Sequence, residues 1–292
     1  MKNQTKAYIF ALLAVLFWST VATAFKIALN NLTFSELLFF STLFSLLILF
    51  LILVIQKKLY LLRQQNLKDY LFSAILGLLN PFLYYIILFR AYDLLPAQEA
   101  LTLNYTWAVV VVILSIPLLK QKIRPVNFIA LLISFFGVVI IATHGNPLSL
   151  KLSNTFGVGL ALGSSVIWAL FWLLNIRDKR DEVLKLFMNF IFGAIYISLF
   201  QIINFDMRLP DLYSLLPAVY IGFFEMGITF VLWLLALKYS ETTAKVSNLI
   251  YLSPFLSLFF INIFLHEAIH LSSIFGLILI VSGILIQQVI RK

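Results

Sequence analysis

Residues 34–55 read FSELLFFSTLFSLLILFLILVI. About 20 residues at about 1.5 Å each cross the roughly 30 Å hydrocarbon core of a bilayer as a helix, so this run reads as a membrane span. Similar stretches recur along the chain, at approximately 7–29, 34–55, 71–90, 98–119, 126–143, 156–175, 184–203, 213–236, 244–264 and 272–290. Ten such spans consume most of the 292 residues and leave no room for a separate soluble domain. The expected fold is an all-α integral membrane protein with ten transmembrane helices.

Composition points the same way. Apolar residues make up 62% and charged residues 11%, and the 29 Phe and 12 Tyr must lie against lipid or line an interior space. An ordinary soluble domain is excluded. Only 11 Gly and 8 Pro occur, without a strict period, which excludes collagenous and disordered chains. With no cysteine in the chain, there is no disulfide framework, thiolate metal site, C-x-x-C redox pair or cysteine nucleophile. No G-x-x-x-x-G-K-[ST] run is present, so no built-in ATPase is expected.

The net charge of +9 reads as topology. The N-terminus, the even-numbered loops and the C-terminus hold 17 Lys and Arg, whereas the odd-numbered loops hold 4, namely Lys26, Arg90, Lys151 and Arg208. Short basic loops stay cytoplasmic, so both termini are expected on the cytoplasmic side of a multi-pass cell-membrane protein. Anionic lipid headgroups would add to the attraction. Nucleic acid is not an expected partner, because the longest basic break, residues 56–70, offers no basic face of the needed extent. Lys2 and Lys6, an apolar run and Ala22-Thr23-Ala24 also match a signal peptide with a small-x-small cleavage site. That run is long for such a leader, and it resembles the sixth span.

The likeness is part of an internal repeat. A shift of 150 aligns Ala11-Leu12 and Trp18 with Ala161-Leu162 and Trp168, and a shift of 146 aligns Leu103, Tyr105, Leu131 and Gly137 with Leu249, Tyr251, Leu277 and Gly283. Five is odd, so a second set of five helices enters the membrane from the opposite side. Two inverted five-helix repeats, 1–145 and 146–292, are therefore expected, joined around 144–155 with Gly145, Asn146 and Pro147. Inverted repeats are a transporter architecture.

Three stretches resemble a known family: Trp18 with Phe25-Lys26; Leu88 to Trp107, LFRAYDLLPAQEALTLNYTW; and Gly222 to Glu267, which contains LWLLALKYSETTAKVSNLIYLSP from Leu232 to Pro254. With Gly276 and Gly283 they resemble the drug/metabolite transporter superfamily, in particular the EamA type of ten-helix exporter, over nearly all of residues 7–290. The first half departs from the pattern at Ala108, at Gln121 and around Ser41. The resemblance implies a secondary transporter, not an enzyme, that exports small metabolites, with amino acids the foremost class, and that uses no cofactor.

Polar residues inside apolar spans mark candidate sites, because an ionised group in hydrocarbon normally faces an interior cavity or a partner. Glu225, in Gly222-Phe-Phe-Glu-Met-Gly227, is the clearest. It reads either as a cavity carboxyl that recognises substrate or exchanges a proton, or as a carboxyl that only ties helices together. Glu99 reads as a helix cap or a coupling residue, and Lys26 as a snorkelling chain or a carboxylate-attracting charge, a choice shared by Arg90. Asn80-Pro81 in span three and Pro254 in span nine are expected to bend their helices. Asn80, Tyr84, Asn104, Tyr105, Trp107, Trp168, Trp172, Asn248 and Tyr251 are expected to line a substrate cavity with Glu225. Interface belts compete for single aromatic residues and take Tyr8 and Trp233.

His266-Glu267-Ala268-Ile269-His270 matches H-E-x-x-H, but a third ligand and a catalytic domain are missing, so no metal site is expected and Glu267 reads as a cap. The expected function is alternating access to a midplane cavity, driven by protons or by the substrate gradient. Efflux of amphipathic drugs or other small metabolites is the near alternative, and a non-transporting membrane scaffold the distant one. Nothing in the lipid-facing helix surfaces fixes an oligomeric state.

Overall fold

The computed structural model describes residues 3–119, 125–146, 154–175, 177–204, 210–240, 246 and 248–290. In chain order the helices are α1 (Gln4–Leu29), α2 (Phe34–Ile55), α3 (Leu67–Leu94), α4 (Ala97–Leu118), α5 (Pro125–Ala142), α6 (Thr155–Asn175), α7 (Glu182–Asn204), α8 (Leu212–Tyr239), α9 (Leu252–Leu265) and α10 (Leu271–Ile290). Among the described residues seven of them, α1–α4 and α6–α8, are long and apolar enough to cross a membrane, and α5, α9 and α10 contain shorter apolar stretches. No strand occurs among the described residues. Helix is the expected outcome in hydrocarbon, where every backbone N–H and C=O must be satisfied within the chain.

Helix starts are written in polar residues that hydropathy alone does not register. Thr33 opens α2 with a capping box, its hydroxyl accepting from the Glu36 N–H at 3.2 Å while its own N–H donates to Glu36 Oε2 at 2.9 Å. Asn66 with Asp69 caps α3 in the same way, and Asp211 caps α8 by accepting from the Ser214 N–H. The caps carry both helices past the apolar windows 71–90 and 213–236, to 28 residues each.

Both 28-residue helices are interrupted by a wider π-helical turn, at Leu78–Leu83 in α3 and Ile221–Ile228 in α8. In α3 the cause is local. Asn80 is extended, with φ −146° and ψ 118°, as the clash with the following proline ring favours, so Pro81 does break its helix as expected. Each interruption sits beside a glycine crossing. A Cβ on Gly77 would lie 2.3 Å from the Asn189 carbonyl oxygen of α7, and one on Gly222 would lie 2.5 Å from the Ser41 carbonyl oxygen of α2. Without a driving force from water, such close backbone approach is what holds helices together in lipid.

Neighbour relations are orderly. Helix α1 packs on α8 and α9, and α6 packs on α3 and α4; α2 lies along the π turn of α8, and α7 along that of α3; α2 meets α7, and α5 meets α10. Exchanging each of α1–α5 with the helix five places later maps this set of neighbours onto itself.

Pro254 lies in the first turn of α9, directly behind a 3-10 turn at Asn248–Tyr251, where its missing N–H costs α9 no hydrogen bond; residues 241–245 and 247, on which the expected bend of the ninth span depends, lie outside the described residues. One expectation is corrected by packing. Trp233 does not sit in an interface belt. It is 8% exposed and packs 5.5 Å from Trp18, because the α1–α8 contact takes it inward. Tyr8 is exposed, as a belt residue would be.

The α6–α7 loop is bolted to the first half of the chain. Asp178 holds Arg180 through Nε at 2.9 Å and Nη2 at 2.6 Å, while Arg180 also donates to Ser73 Oγ at 2.9 Å and to the Asp69 carbonyl at 3.1 Å. Lys58 Nζ meets Asp181 at 2.6 Å. Burial works against the charge of both aspartates, but hydrogen bonds from Arg180 to Asp178 and from Lys58 to Asp181 outweigh it, and both carboxyls stay below the usual 3.8.

Two predictions follow from this packing. Gly77→Val should cost about 1–3 kcal/mol through overpacking, read as a lower melting temperature in detergent, whereas Gly159→Ala, with nothing within 4 Å of its Cβ, should melt like the parent. Because the two carboxyls titrate below their ordinary value, their stabilising effect is complete above that value and is lost as pH falls through the lower folded one. The melting difference between the parent and Asp181→Asn should therefore be full above about pH 5 and shrink steadily toward about pH 2. A difference independent of pH would contradict this.

Candidate functional site

The π turn of α8 sets Glu225 into the protein interior, 6% exposed. Its Oε1 accepts from the Tyr85 hydroxyl of α3 at 2.9 Å, and the Trp18 indole of α1 lies beside the same carboxyl. Its other oxygen, Oε2, is buried with no donor in bonding geometry among the described residues. A buried carboxyl with an open acceptor position can take up a proton or a cationic ligand.

Aromatic rings surround this carboxyl. Phe230, fully buried on α8, joins Trp18 of α1 at 6.2 Å to Trp168 of α6 at 5.7 Å. Trp168 in turn stacks on Tyr84 of α3 at 4.4 Å and meets Trp172 edge-on at 5.7 Å. Rings from α1, α3, α6 and α8 therefore form one continuous array.

A polar chain lies along one flank. Tyr84 donates to Asn104 Oδ1 at 3.4 Å, and Asn104 Nδ2 donates to Ser164 Oγ at 2.9 Å. Next to it, Thr106 donates to Ser165 Oγ at 3.1 Å. These groups meet because α4 is broken at Tyr105–Thr106, between its helical parts Ala97–Asn104 and Trp107–Leu119. Tyr105 is buried beside Ser253 of α9. Asn80 is fully buried at the break in α3 and neither of its amide atoms has a partner among the described residues. It occupies in α3 the place that Glu225 occupies in α8, at the 145-residue offset that also relates Gly77 to Gly222.

The structure thus gathers Glu225, Tyr84, Asn104, Trp168 and Trp172, and buries Asn80, Tyr105 and Tyr251 in the core. Trp107 is half-buried and, among the described residues, takes no part in the ring array. The side chain of Asn248 lies outside the described residues, as do Gln121 and Pro147. Glu99 sits buried in the first turn of α4, yet the first N–H of that helix is capped by Glu267, whose Oε1 accepts from Ala97 N at 3.0 Å. Lys26 does not snorkel: its Nζ donates to the carbonyls of Tyr92 at 2.7 Å and Leu95 at 3.0 Å, closing the end of α3. Arg90 pairs with Asp93 and lies over the Phe34 ring.

Sequence reasoning missed Tyr85, Trp18, Phe230, Ser164 and Ser165 as members of this cluster. A signal existed for one of them: Trp18 aligns with Trp168 at the shift of 150, so placing Trp168 inside implied a like position for Trp18.

A family model described as the EamA-like transporter family matches residues 5–143 and 155–287. The uncharacterized transporter YoaV of Bacillus subtilis (strain 168) is 26% identical over 279 residues, covering 92% of each chain. An uncharacterized transporter of Clostridium kluyveri is 24% identical over 303 residues, covering 98% of this chain and 94% of its own. The uncharacterized transporter YvbV of B. subtilis is 29% identical over 222 residues, 74% of this chain and 70% of its own. A crystal structure only 20% identical superposes over 99% of this chain and 98% of its own with a TM-score of 0.70, a likeness of fold.

Removing the Tyr85 hydroxyl strands the second oxygen of a buried carboxyl. Tyr85→Phe should cost about 1–3 kcal/mol, and the cost should largely disappear when it is combined with Glu225→Met, which removes the acceptor as well. Additive losses in this double-mutant cycle, measured by thermal unfolding in detergent, would contradict the pairing.

Proposed function

This chain belongs to the EamA-like transporter family, and on that premise we propose that it moves small metabolites by exposing one interior site alternately to the two sides of a membrane. It is a multi-pass membrane transporter, not an enzyme. The finer reading has ten transmembrane helices as two inverted five-helix repeats, 1–145 and 146–292. The two stretches matched by the family model, the paired 28-residue helices with their π turns, and the exchange of neighbours between α1–α5 and α6–α10 support it. In this reading both termini are cytoplasmic in the cell membrane, as the distribution of Lys and Arg supports.

The observation that carries the mechanism is Glu225: a buried carboxyl on an irregular turn, open at Oε2, among rings contributed by both halves. Irregular backbone at membrane depth is tolerated where protein or a cavity meets its polar groups, and discontinuous helices of this kind form transporter sites. Rocking of one half against the other would expose this centre first to one side and then to the other. Glu225 is assigned the exchange of a proton or the recognition of the substrate's cationic group. Asn104, Tyr84 and Ser164 supply orientation, and the rings take the apolar part.

Amino acids are the substrate class, and export the direction, that we put first. An ammonium matches the carboxyl, and a side chain matches the rings. The same ring array supports efflux of amphipathic cations as a second reading. Counterflow in proteoliposomes with a panel of amino acids, nucleobases and cationic dyes separates the two. For whichever substrate is carried, Glu225→Gln should lower flux under a proton gradient by roughly tenfold to hundredfold, the equivalent of one charge-assisted hydrogen bond. Parental flux at every pH would remove Glu225 from the mechanism.

A further inference from the structure

A second polar centre lies apart from Glu225, where the end of α1, the α3–α4 turn and the α9–α10 loop meet. It borders an open cavity of about 440 Å³ lined by Lys26, Asp93, Leu94, Leu95, Pro96, Gln98, Glu267, Ala268 and His270. Its two sides come from opposite halves of the chain. They are held together by Gln98, whose Nε2 donates to the Ala268 carbonyl at 3.0 Å and whose Oε1 accepts from His270 N at 3.0 Å and Ser273 Oγ at 2.9 Å.

Two oppositely charged groups at this cavity each keep an unused bonding position. An ammonium has three donors, and Lys26 spends two on the Tyr92 and Leu95 carbonyls, leaving one. Glu267 spends Oε1 on Ala97 N, while its Oε2 is buried and has no partner among the described residues. Gln98 is saturated. Asp93 is occupied by Arg90. Lys26 and Glu267 sense each other's charge but form no ion pair within 4 Å. Opposite charges held in one cavity, each with a single free position and no direct contact, are complementary to a molecule carrying both charges. Leu94, Leu95 and Pro96 give that molecule an apolar wall.

We propose that this cavity is a second binding site, for a small zwitterion such as an α-amino acid, with its carboxylate on Lys26 Nζ and its ammonium on Glu267 Oε2. A ligand lacking either charge leaves one buried group of the site unpaired, so both charges are required for binding. The site joins both halves, and its occupant therefore couples to their separation. That coupling rests on the transporter reading above; the binding does not.

The test is equilibrium binding to the full-length protein in lipid nanodiscs, carried out on the Glu225→Gln variant so that the interior centre is disabled. The probes are L-phenylalanine, phenethylamine and 3-phenylpropionate, which share a side chain and differ in charge. L-Phenylalanine should bind, and the two singly charged analogues should bind at least roughly tenfold more weakly. Adding Glu267→Gln keeps an acceptor for Ala97 N and should weaken L-phenylalanine at least roughly tenfold, whereas Lys26→Arg, which keeps the cation and its donors, should retain binding within about threefold. Equal binding of all three probes, unchanged binding in the Glu267 variant, or no L-phenylalanine binding once Glu225 is replaced would each overturn the proposal. Counterflow by the parent protein is measured alongside and reports on the transport reading independently, because it persists if only the outer site is wrong.

Discussion

Close backbone crossing at Gly77 and Gly222 is the constraint from which most of this structure follows. Helices in hydrocarbon gain nothing from burying apolar surface against one another, so contact must come from tight packing and from polar groups satisfied inside. A side chain at Gly77 would strike the backbone of α7, and one at Gly222 the backbone of α2. At or just after each crossing the helix widens into a π turn, and each turn presents one polar residue to the interior, Asn80 in α3 and Glu225 in α8. The rings of Trp18, Phe230, Trp168 and Tyr84 then fill the space between the crossings.

The halves are alike in this skeleton and different in its chemistry. One π turn carries a carboxyl paired with Tyr85, and the other carries an amide with no partner among the described residues. In the proposed mechanism repetition would supply the frame for two-sided access, and the difference between Glu225 and Asn80 the asymmetry that binding and coupling need. Charge at the helix ends follows the same division of labour: Arg180 and Asp178 bind the α6–α7 loop to α3, while Gln98 and Glu267 bind the α9–α10 loop to α4.

Much of the fold could be read from residue order, because in a membrane the dominant requirement is one dimensional: an apolar stretch of sufficient length. The helices therefore fall on the expected stretches, and the break at Pro81 is local enough to read from Asn80-Pro81. What failed was whatever depends on the neighbour across the gap. Trp233 has the character of an interface residue, and only the packing of α1 on α8 turns it inward. Tyr85 and Lys26 take their roles from partners 140 and 66 residues away, which no local pattern encodes. Glu267 was legible as a cap, but the helix it caps is α4, not its own.

In the proposed mechanism the two halves move as units, opening one side as they close the other. The natural absence of cysteine allows clean site-specific labelling. Spin labels at Asn31 and Ala268 report on the face with the Lys26–Glu267 cavity, and labels at Tyr70 and Lys179 report on the face with the Arg180 bolt; all four positions are exposed. Pulsed dipolar distance measurements in liposomes, with and without substrate and across pH, should give two populations in which one pair lengthens as the other shortens. Distances that stay fixed under all conditions, or lengthen together, would contradict it.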